Sequence, residues 1–119
     1  MVDDGRPLFE QIADALEGAV LDGSMPEGTQ VPSINELAVF HRINPATALK
    51  GVNRLVDAGI VHKRRGIGMF VTEGARARLL EERRGDFVAR HLAPVVARAK
   101  ALGIQPDELA DLIRKEMAR

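Results

Sequence analysis

The strongest structural signals of the chain lie between Val31 and Val71, in the segment VPSINELAVFHRINPATALKGVNRLVDAGIVHKRRGIGMFV. It divides into three blocks, each with its own physical signature. The pattern predicts a short helix, a longer helix that follows within a few residues, and a basic hairpin that contains glycines. The other elements of the chain flank this segment on both sides.

The first helix is predicted from a capping box. Ser33 stands three residues before Glu36, so the Ser33 hydroxyl can accept a hydrogen bond from the Glu36 N–H. The Glu36 carboxylate can accept one from the Ser33 N–H in return. An apolar pair follows directly, and the pattern predicts a helix over residues 34–41.

The second helix is predicted to begin after Asn44. Pro45 favours an extended backbone at Asn44 and suits the first position of a helix. Asn44 is expected to cap the helix by accepting a hydrogen bond from the Thr47 N–H. Gly59 is expected to end it. Apolar residues recur at helical spacing and predict its buried face: Ala48, Val52, Leu55 and Val56.

The hairpin is predicted from two short apolar runs on either side of Gly66 and Gly68, which permit a tight turn. Its tip, Arg64-Arg65-Gly66, is cationic and narrow enough to enter a minor groove or lie along phosphates. Two closely linked helices followed by a basic hairpin is the order of a winged helix-turn-helix, a unit that reads DNA. The predicted fold class is therefore mainly α with a small β wing.

The ordered motifs resemble the GntR family of bacterial transcriptional regulators. PLFEQI at residues 7–12, PSINELA at residues 32–38 and GIGMFV at residues 66–71 match the family's pattern in order and spacing. The NPAT start of the second helix, at residues 44–47, and the short C-terminal region resemble the YtrA-like subfamily. The resemblance implies a DNA-binding domain over residues 1–73 and a helical dimerisation region over residues 74–119.

Four positions depart from the family's pattern. Asn35 stands where the family usually has an Arg associated with DNA contact, and Arg42 stands where the interhelical turn usually has Gly. Ala46 and Met69 replace the Asn and Thr that YtrA-like members often carry. Arg42 is expected to adopt a left-handed conformation at a cost of about 1 kcal/mol. The changes at Asn35 and Ala46 predict an altered operator sequence with the same mode of binding.

Charge is unevenly distributed along the chain. The 119 residues suffice for one to two small domains, and 17 basic side chains balance 17 acidic ones. Residues 1–29 carry one basic and seven acidic side chains, whereas residues 30–72 carry six basic and two acidic ones. The positive excess falls in the predicted reading unit, where a phosphate partner requires it.

Several classes of site are excluded. The chain has no cysteine, which removes disulfides, thiol metal ligands and thiol nucleophiles. His41, His62 and His91 fall in separate elements, and their spacing does not resemble a metal site. The hairpin glycines lack the following helix of a phosphate-cradling loop. Neither an enzyme nor a cofactor is therefore expected.

The absence of a long apolar run predicts a cytoplasmic protein with no membrane partner.

The flanks are predicted to be helical. A helix is expected from Pro7 to Gly23, with an acidic outer face that does not approach DNA, after a loose acidic lead at residues 1–6. Gln30-Val31 is expected to add a short strand to the wing. The core face expected for the helix contains Leu8, Ile12, Ala15, Leu16, Ala19 and Val20, and its outer face contains Glu10, Asp14, Glu17 and Asp22.

The C-terminal region is predicted to be one long helix over residues 75–102, kinked at Pro94 and weakened at Gly85, and a last helix opened by Pro106. The last helix is expected to turn Leu109, Leu112, Ile113 and Met117 inward. Two such helices cannot bury both of their apolar stripes against each other. The apolar surface that remains exposed predicts a homodimer, in which a second copy of the chain covers it. The candidate dimerisation residues are Leu80, Phe87, Val88, His91, Leu92, Val95, Val96, Leu109, Leu112 and Ile113.

Nine residues are candidates for DNA contact: Ser33, Asn35, Asn44, Thr47, Lys50, Arg54, Arg64, Arg65 and Gly66. Ser33 and Asn44 are capping residues first, and contact with DNA is a compatible second role. Arg54 fits a phosphate contact and a surface ion pair equally well.

The predicted function is a transcription regulator, a repressor, that binds double-stranded DNA at a palindromic operator as a homodimer. The alternative is a winged-helix protein-interaction module without specific DNA binding, which the departures at Asn35 and Ala46 and the modest charge favour. A small-molecule effector at the dimer seam is left open. The C-terminal region is too short for a large enclosed effector domain.

Overall fold

The computed structural model describes residues 5–119, so most of the acidic lead expected at residues 1–6 lies outside it. The elements are α1 (Leu8–Asp22), α2 (Ile34–His41), α3 (Pro45–Asp57), β1 (Val61–Arg64), β2 (Gly68–Val71), α4 (Ala75–Phe87), a π-helical segment (Val88–Leu92), α5 (Ala93–Ala101) and α6 (Pro106–Met117). The chain forms two compact units, the first ending at Leu80 and the second running from Glu81 to Arg119. The predicted fold class is confirmed.

Helix α3 is the centre of the first unit, because it packs against α1, α2 and β1. Of its predicted apolar face, Ala48, Val52 and Leu55 are fully buried and Val56 is partly buried. The other elements each turn one apolar face toward it. They contribute to the same core Ile12, Leu16, Val20, Leu37, Ala38, Ile60, Val61, Val71, Ala75 and Leu79.

Gly51 allows α1 and α3 to approach closely. A Cβ atom at this position would lie 2.9 Å from the Phe9 carbonyl oxygen and 3.1 Å from the Ile12 Cβ. The carbonyl oxygen belongs to the backbone of α1 and cannot move without shifting that helix. A larger residue at position 51 would therefore push the two helices apart.

The start of α2 has the predicted capping box. The Glu36 N–H donates to the Ser33 Oγ, and the Ser33 N–H donates to the Glu36 Oε1, each over 3.1 Å. The hydrogen bond from the Ser33 backbone N–H lowers the pKa of the Glu36 carboxyl most strongly, and the Ser33 hydroxyl lowers it further. The helix ends at Arg42, whose φ of 55° confirms the expected left-handed conformation.

Asn44 caps α3, but through a different N–H from the one predicted. The Asn44 Oδ1 accepts a hydrogen bond from the Ala46 N–H at 2.8 Å. The Thr47 N–H instead donates to the Asn44 carbonyl oxygen at 2.9 Å, because the first turn of the helix is tight. The predicted partner is thus wrong by one residue, and the predicted cap is confirmed.

The wing is a two-stranded antiparallel hairpin in which Val61 pairs with Val71 and Arg64 pairs with Gly68. The third strand expected at Gln30-Val31 is reduced to a single bridge between Gln30 and Phe70. The Gln30 side chain also donates to the Ile67 carbonyl oxygen at 3.2 Å. Pro32 and the start of α2 follow directly, which leaves no room for a longer strand.

The core face predicted for α1 needs correction at two positions. Leu8 is 45% exposed and Ala15 is exposed, whereas Gln11 and Ala13 are buried. The Gln11 Nε2 donates to the Arg6 carbonyl oxygen at 3.1 Å, which satisfies the buried amide. Leu8 stands at the first helical position, one turn before the crossing with α3.

The long helix predicted over residues 75–102 is interrupted by the π-helical segment directly before Pro94. Proline has no N–H to donate to the carbonyl four residues earlier, so the helix widens locally. The Ala93 N–H accordingly donates to the Val88 carbonyl oxygen, five residues back. Gly85 lies within α4 and does not break it. The domain boundary predicted between residues 73 and 74 stays a prediction.

The second unit has little core of its own. Among residues 81–119, all of which the structure describes, Ala99 alone is buried. The expectation that α6 turns its apolar residues inward is wrong for Leu112, Ile113 and Met117 within the single chain, whereas Leu109 is half-buried. Leu112 is 44% exposed, Ile113 40% and Met117 83%. Short helices expose most of their apolar surface unless a further layer covers it.

We expect Gly51→Ala to destabilise the protein by about 1–2 kcal/mol, because the clash with the α1 backbone exceeds the gain in helix propensity. Gly18→Ala is the matched control, since it lies within α1 and a Cβ there meets nothing within 4 Å. That variant should be stabilised by about 0.5–1 kcal/mol. Urea unfolding followed by circular dichroism measures both, and equal stabilisation of the two variants would contradict the close-approach argument.

We expect Ser33→Ala to raise the pKa of Glu36, because it removes the hydroxyl from the capping box. In the wild type the pKa lies below 4.5, so the contribution of Glu36 to stability is present at neutral pH and is lost as the pH falls through that lowered pKa. Carboxyl-detected NMR titration measures the change. Asn35→Ala, outside the capping box, should leave the Glu36 titration in place, and an unmoved pKa in Ser33→Ala would argue against the box.

Candidate nucleic-acid interface

The nine candidate DNA-contact residues lie on three elements of the first unit. Ser33 and Asn35 open α2, the residues from Asn44 to Arg54 follow α3, and the residues from Arg64 to Gly66 lie in the wing. Thr47 is half-buried and the others are exposed. The Lys63 Nζ donates to the Asn53 Oδ1 at 3.2 Å, which ties the base of the wing to the middle of α3.

The two capping residues differ in the groups that they leave available for DNA. The Ser33 Oγ accepts the Glu36 N–H, and the Ser33 hydroxyl also interacts with the Glu36 carboxyl, so this side chain is engaged in the capping box. The Asn44 Oδ1 accepts the Ala46 N–H, so both amide hydrogens of Asn44 stay available for a base or a phosphate. Capping by Asn44 therefore fixes the side chain without consuming the groups that would contact DNA.

The cations of α3 are held by the first turn of α1. The Lys50 Nζ lies 4.1 Å from the centroid of the Phe9 ring, a cation–π contact. Arg54 forms an ion pair with Glu10, with 3.1 Å between Nη1 and Oε1. Of the two interpretations left open for Arg54, the ion pair is the one formed in the free protein. A shallow cleft of about 370 Å³ lies beside these contacts, lined by Phe9, Ala46, Leu49, Lys50, Asn53, Arg54 and Asp57.

The wing tip differs slightly from the predicted one. Arg64 is the last residue of β1, and its guanidinium lies 4.3 Å from the centroid of the Phe70 ring. The turn itself contains Arg65, Gly66 and Ile67, because Arg64 pairs with Gly68 across the hairpin. Gly66 has a φ of 76°, which favours glycine. The Ile67 side chain is 65% exposed at the tip.

Sequence reasoning missed four residues of this surface: Phe9, Glu10, Leu49 and Asn53. Leu49 is 41% exposed, and its three-residue spacing from Ala46 could have placed both on the cleft-lining face. Glu10 was expected on an outer face of α1, yet it pairs with a residue 44 positions away. Local sequence patterns do not encode such a contact, because it depends on how α1 crosses α3.

The positive charge of the surface comes from Lys and Arg. Partial burial lowers the pKa of His41, so this histidine adds no charge near pH 7. Within residues 5–119 no group of His, Asp and Glu side chains is arranged to hold a metal ion. None of the helices in that range is long and apolar enough to cross a membrane.

Comparisons with known proteins agree with the resemblance drawn from the motifs. The profile of the family described as "Bacterial regulatory proteins, gntR family" matches residues 8–71. The HTH-type transcriptional repressor YtrA of Bacillus subtilis (strain 168) is 29% identical over 109 residues, which cover 92% of this chain and 83% of YtrA. The transcriptional regulator YhcF of the same organism is 28% identical over 109 residues, or 92% of this chain and 88% of YhcF.

Solved structures show the same architecture. A GntR-family structure from Bacteroides thetaiotaomicron superposes with a TM-score of 0.80 at 27% identity, covering 94% of this chain and 97% of that one. A transcriptional regulator from Oenococcus oeni shares the fold with a TM-score of 0.83 at 23% identity, covering 98% and 96%. The family match covers more than half of the chain and coincides with the winged helix-turn-helix. The chain therefore belongs to the GntR family of bacterial regulatory proteins, and it is a DNA-binding transcription regulator, not an enzyme.

Proposed function

We propose that the protein represses transcription by binding a palindromic operator as a homodimer. The observation that carries this proposal is the position of the wing beside α3. The Lys63–Asn53 hydrogen bond joins the two elements, so an exposed helix and a cationic hairpin form one surface. A helix in the major groove with a hairpin on the flanking backbone is the docking mode that such a surface serves.

The residues of this surface divide by chemistry. Asn44 caps α3, and Thr47 and Lys50 lie within its first two turns. These three residues supply sequence readout, since amide and ammonium groups recognise adenine and guanine edges. Ser33, Arg64 and the Arg65-Gly66 turn contact phosphates or the minor groove and set the register. Asn35 reaches a phosphate or base from the first turn of α2, and Arg54 adds a phosphate contact.

The second unit supports dimerisation. Phe87, Val88 and Val95 are 56%, 52% and 46% exposed, and the apolar residues of α6 are similarly open. A second copy of the chain would cover these surfaces, which a unit with one buried residue cannot cover alone. A two-fold axis places two reading helices on a DNA site with matching symmetry, which is the reason for proposing a palindrome.

Repression is proposed because the relative YtrA, which covers most of this chain, is named a repressor. A cytoplasmic location fits a protein that binds DNA.

A small-molecule effector at the dimer seam would regulate binding without contacting α3. The rival function is a winged-helix module that binds protein only, and the following experiment separates it from the proposed one.

We expect the protein to enrich one palindromic site from a random duplex pool and to bind it with an affinity that falls steeply with salt. Arg64→Ala/Arg65→Ala should weaken binding by roughly 10-fold to 100-fold and reduce the slope of log K against log salt by about 2, because two phosphate contacts are lost. Fluorescence anisotropy at several salt concentrations measures both quantities.

The matched control is Lys115→Ala/Arg119→Ala, which removes the same charge from exposed positions of the second unit. A control that weakened binding as much as the wing variant would assign the effect to net charge alone. A folded wild type that enriches no duplex would favour the protein-interaction module.

We expect the wild type to sediment at twice the mass of one chain, and Leu112→Glu/Ile113→Glu to shift it toward the monomer, because two carboxylates would be buried at the proposed seam. Val39→Glu is the control, since Val39 is an 80% exposed apolar residue of the first unit. Analytical ultracentrifugation over a concentration series measures the change. A dimer that persists after the double substitution would mean that α6 does not form the dimer interface.

A further inference from the structure

We propose that Glu10 restrains DNA binding by holding Arg54, so that a DNA phosphate has to compete with the Glu10 carboxylate for this arginine. Glu10 lies on α1, outside the elements that contact DNA in the proposed function. It is thus a positioning residue that sets how strongly α3 attracts the DNA backbone. The inference rests on the proposed function and assigns to α1 a role in it.

The geometry places the carboxylate directly on the guanidinium. Arg54 Nη1 donates to Glu10 Oε1 at 3.1 Å, and the Glu10 side chain is 32% exposed. The Arg54 side chain is 55% exposed, so it stays accessible to a second anion. Lys50 directs its ammonium onto the Phe9 ring at 4.1 Å, which leaves the Glu10 carboxylate to Arg54.

The core holds Glu10 in this position. The backbone of Phe9, the residue before it, lies against Gly51, where a Cβ atom would come within 2.9 Å of the Phe9 carbonyl oxygen. Ile12, two residues after Glu10, is fully buried beneath α3. Because the chain is packed against α3 on both sides of Glu10, the backbone of Glu10 keeps the carboxylate within reach of α3 when Arg54 turns away. It would then face the incoming phosphate.

Two electrostatic effects act in the same direction. The Glu10 carboxylate competes with a phosphate for the Arg54 guanidinium, and it repels the DNA backbone at short range. Both effects concern phosphates, which are the same in every sequence. Glu10 should therefore weaken specific and non-specific binding by the same factor, and it should reduce the number of counterions released on binding.

The test compares Glu10→Gln with the wild type on the selected operator and on a random duplex, by anisotropy over a salt series. We expect Glu10→Gln to bind both about threefold to fivefold more tightly and to steepen the slope of log K against log salt by about 1. The ratio of the two affinities should not change. Thermal unfolding confirms that this substitution of a partly exposed residue leaves the fold intact.

Asp14→Asn is the matched control. It removes the same charge from the same helix and also breaks an exposed ion pair, the one between Asp14 and Arg6. Its affinity should stay within about twofold of the wild type, because Asp14 does not contact α3 residues that bind DNA. In an Arg54→Gln background, Glu10→Gln should give a smaller gain than in the wild type, since only the repulsion between the carboxylate and the DNA backbone is left to remove.

Five results would overturn the inference. Equal gains in Glu10→Gln and Asp14→Asn would mean that only net charge matters. Weaker binding by Glu10→Gln would mean that Glu10 orients Arg54 productively. A gain of the same size with and without Arg54 would exclude this arginine as the restrained group. A wild type that binds no duplex rejects the proposed function and this inference with it, whereas salt-dependent wild-type binding with an unresponsive Glu10→Gln rejects the inference alone.

Discussion

The close crossing of α1 and α3 is the contact on which the rest of the first unit depends. Gly51 removes the Cβ that would meet the Phe9 carbonyl oxygen, and the buried residues Ile12, Val52 and Leu55 fill the space around it. This packing holds α3 with one face in the core and the opposite face in solvent. An exposed helix can enter a major groove reproducibly only when its other face is fixed in this way.

The same crossing determines the electrostatics of the reading surface. Phe9 and Glu10 reach Lys50 and Arg54 because the first turn of α1 lies beside the middle of α3. The Lys63–Asn53 hydrogen bond connects the wing to α3 as well. The cations of this surface are thus held by neighbouring elements before any DNA arrives, which reduces the conformational entropy that binding has to remove.

The second unit, in contrast, has almost no core of its own. A proline inside an apolar stretch widens the helix into a π-helical segment, and α6 exposes the residues that would be its core face. Such a segment gains stability only when another surface covers it. Folding of the winged helix-turn-helix therefore depends on residues that are buried within the chain. The proposed assembly of the dimer depends on a separate set of apolar residues that are exposed in the single chain.

Local sequence patterns predicted most elements of the first unit, because their signals act within a few residues. The capping box at Ser33, the Asn44-Pro45 start of α3 and the hairpin glycines are signals of this kind, and their order was sufficient to predict the family. Tertiary structure alone decided the contacts between distant residues. The Glu10–Arg54 ion pair, the Lys50–Phe9 contact and the exposure of α6 depend on how helices cross, and a helix crossing is set by packing of whole faces rather than by any short pattern.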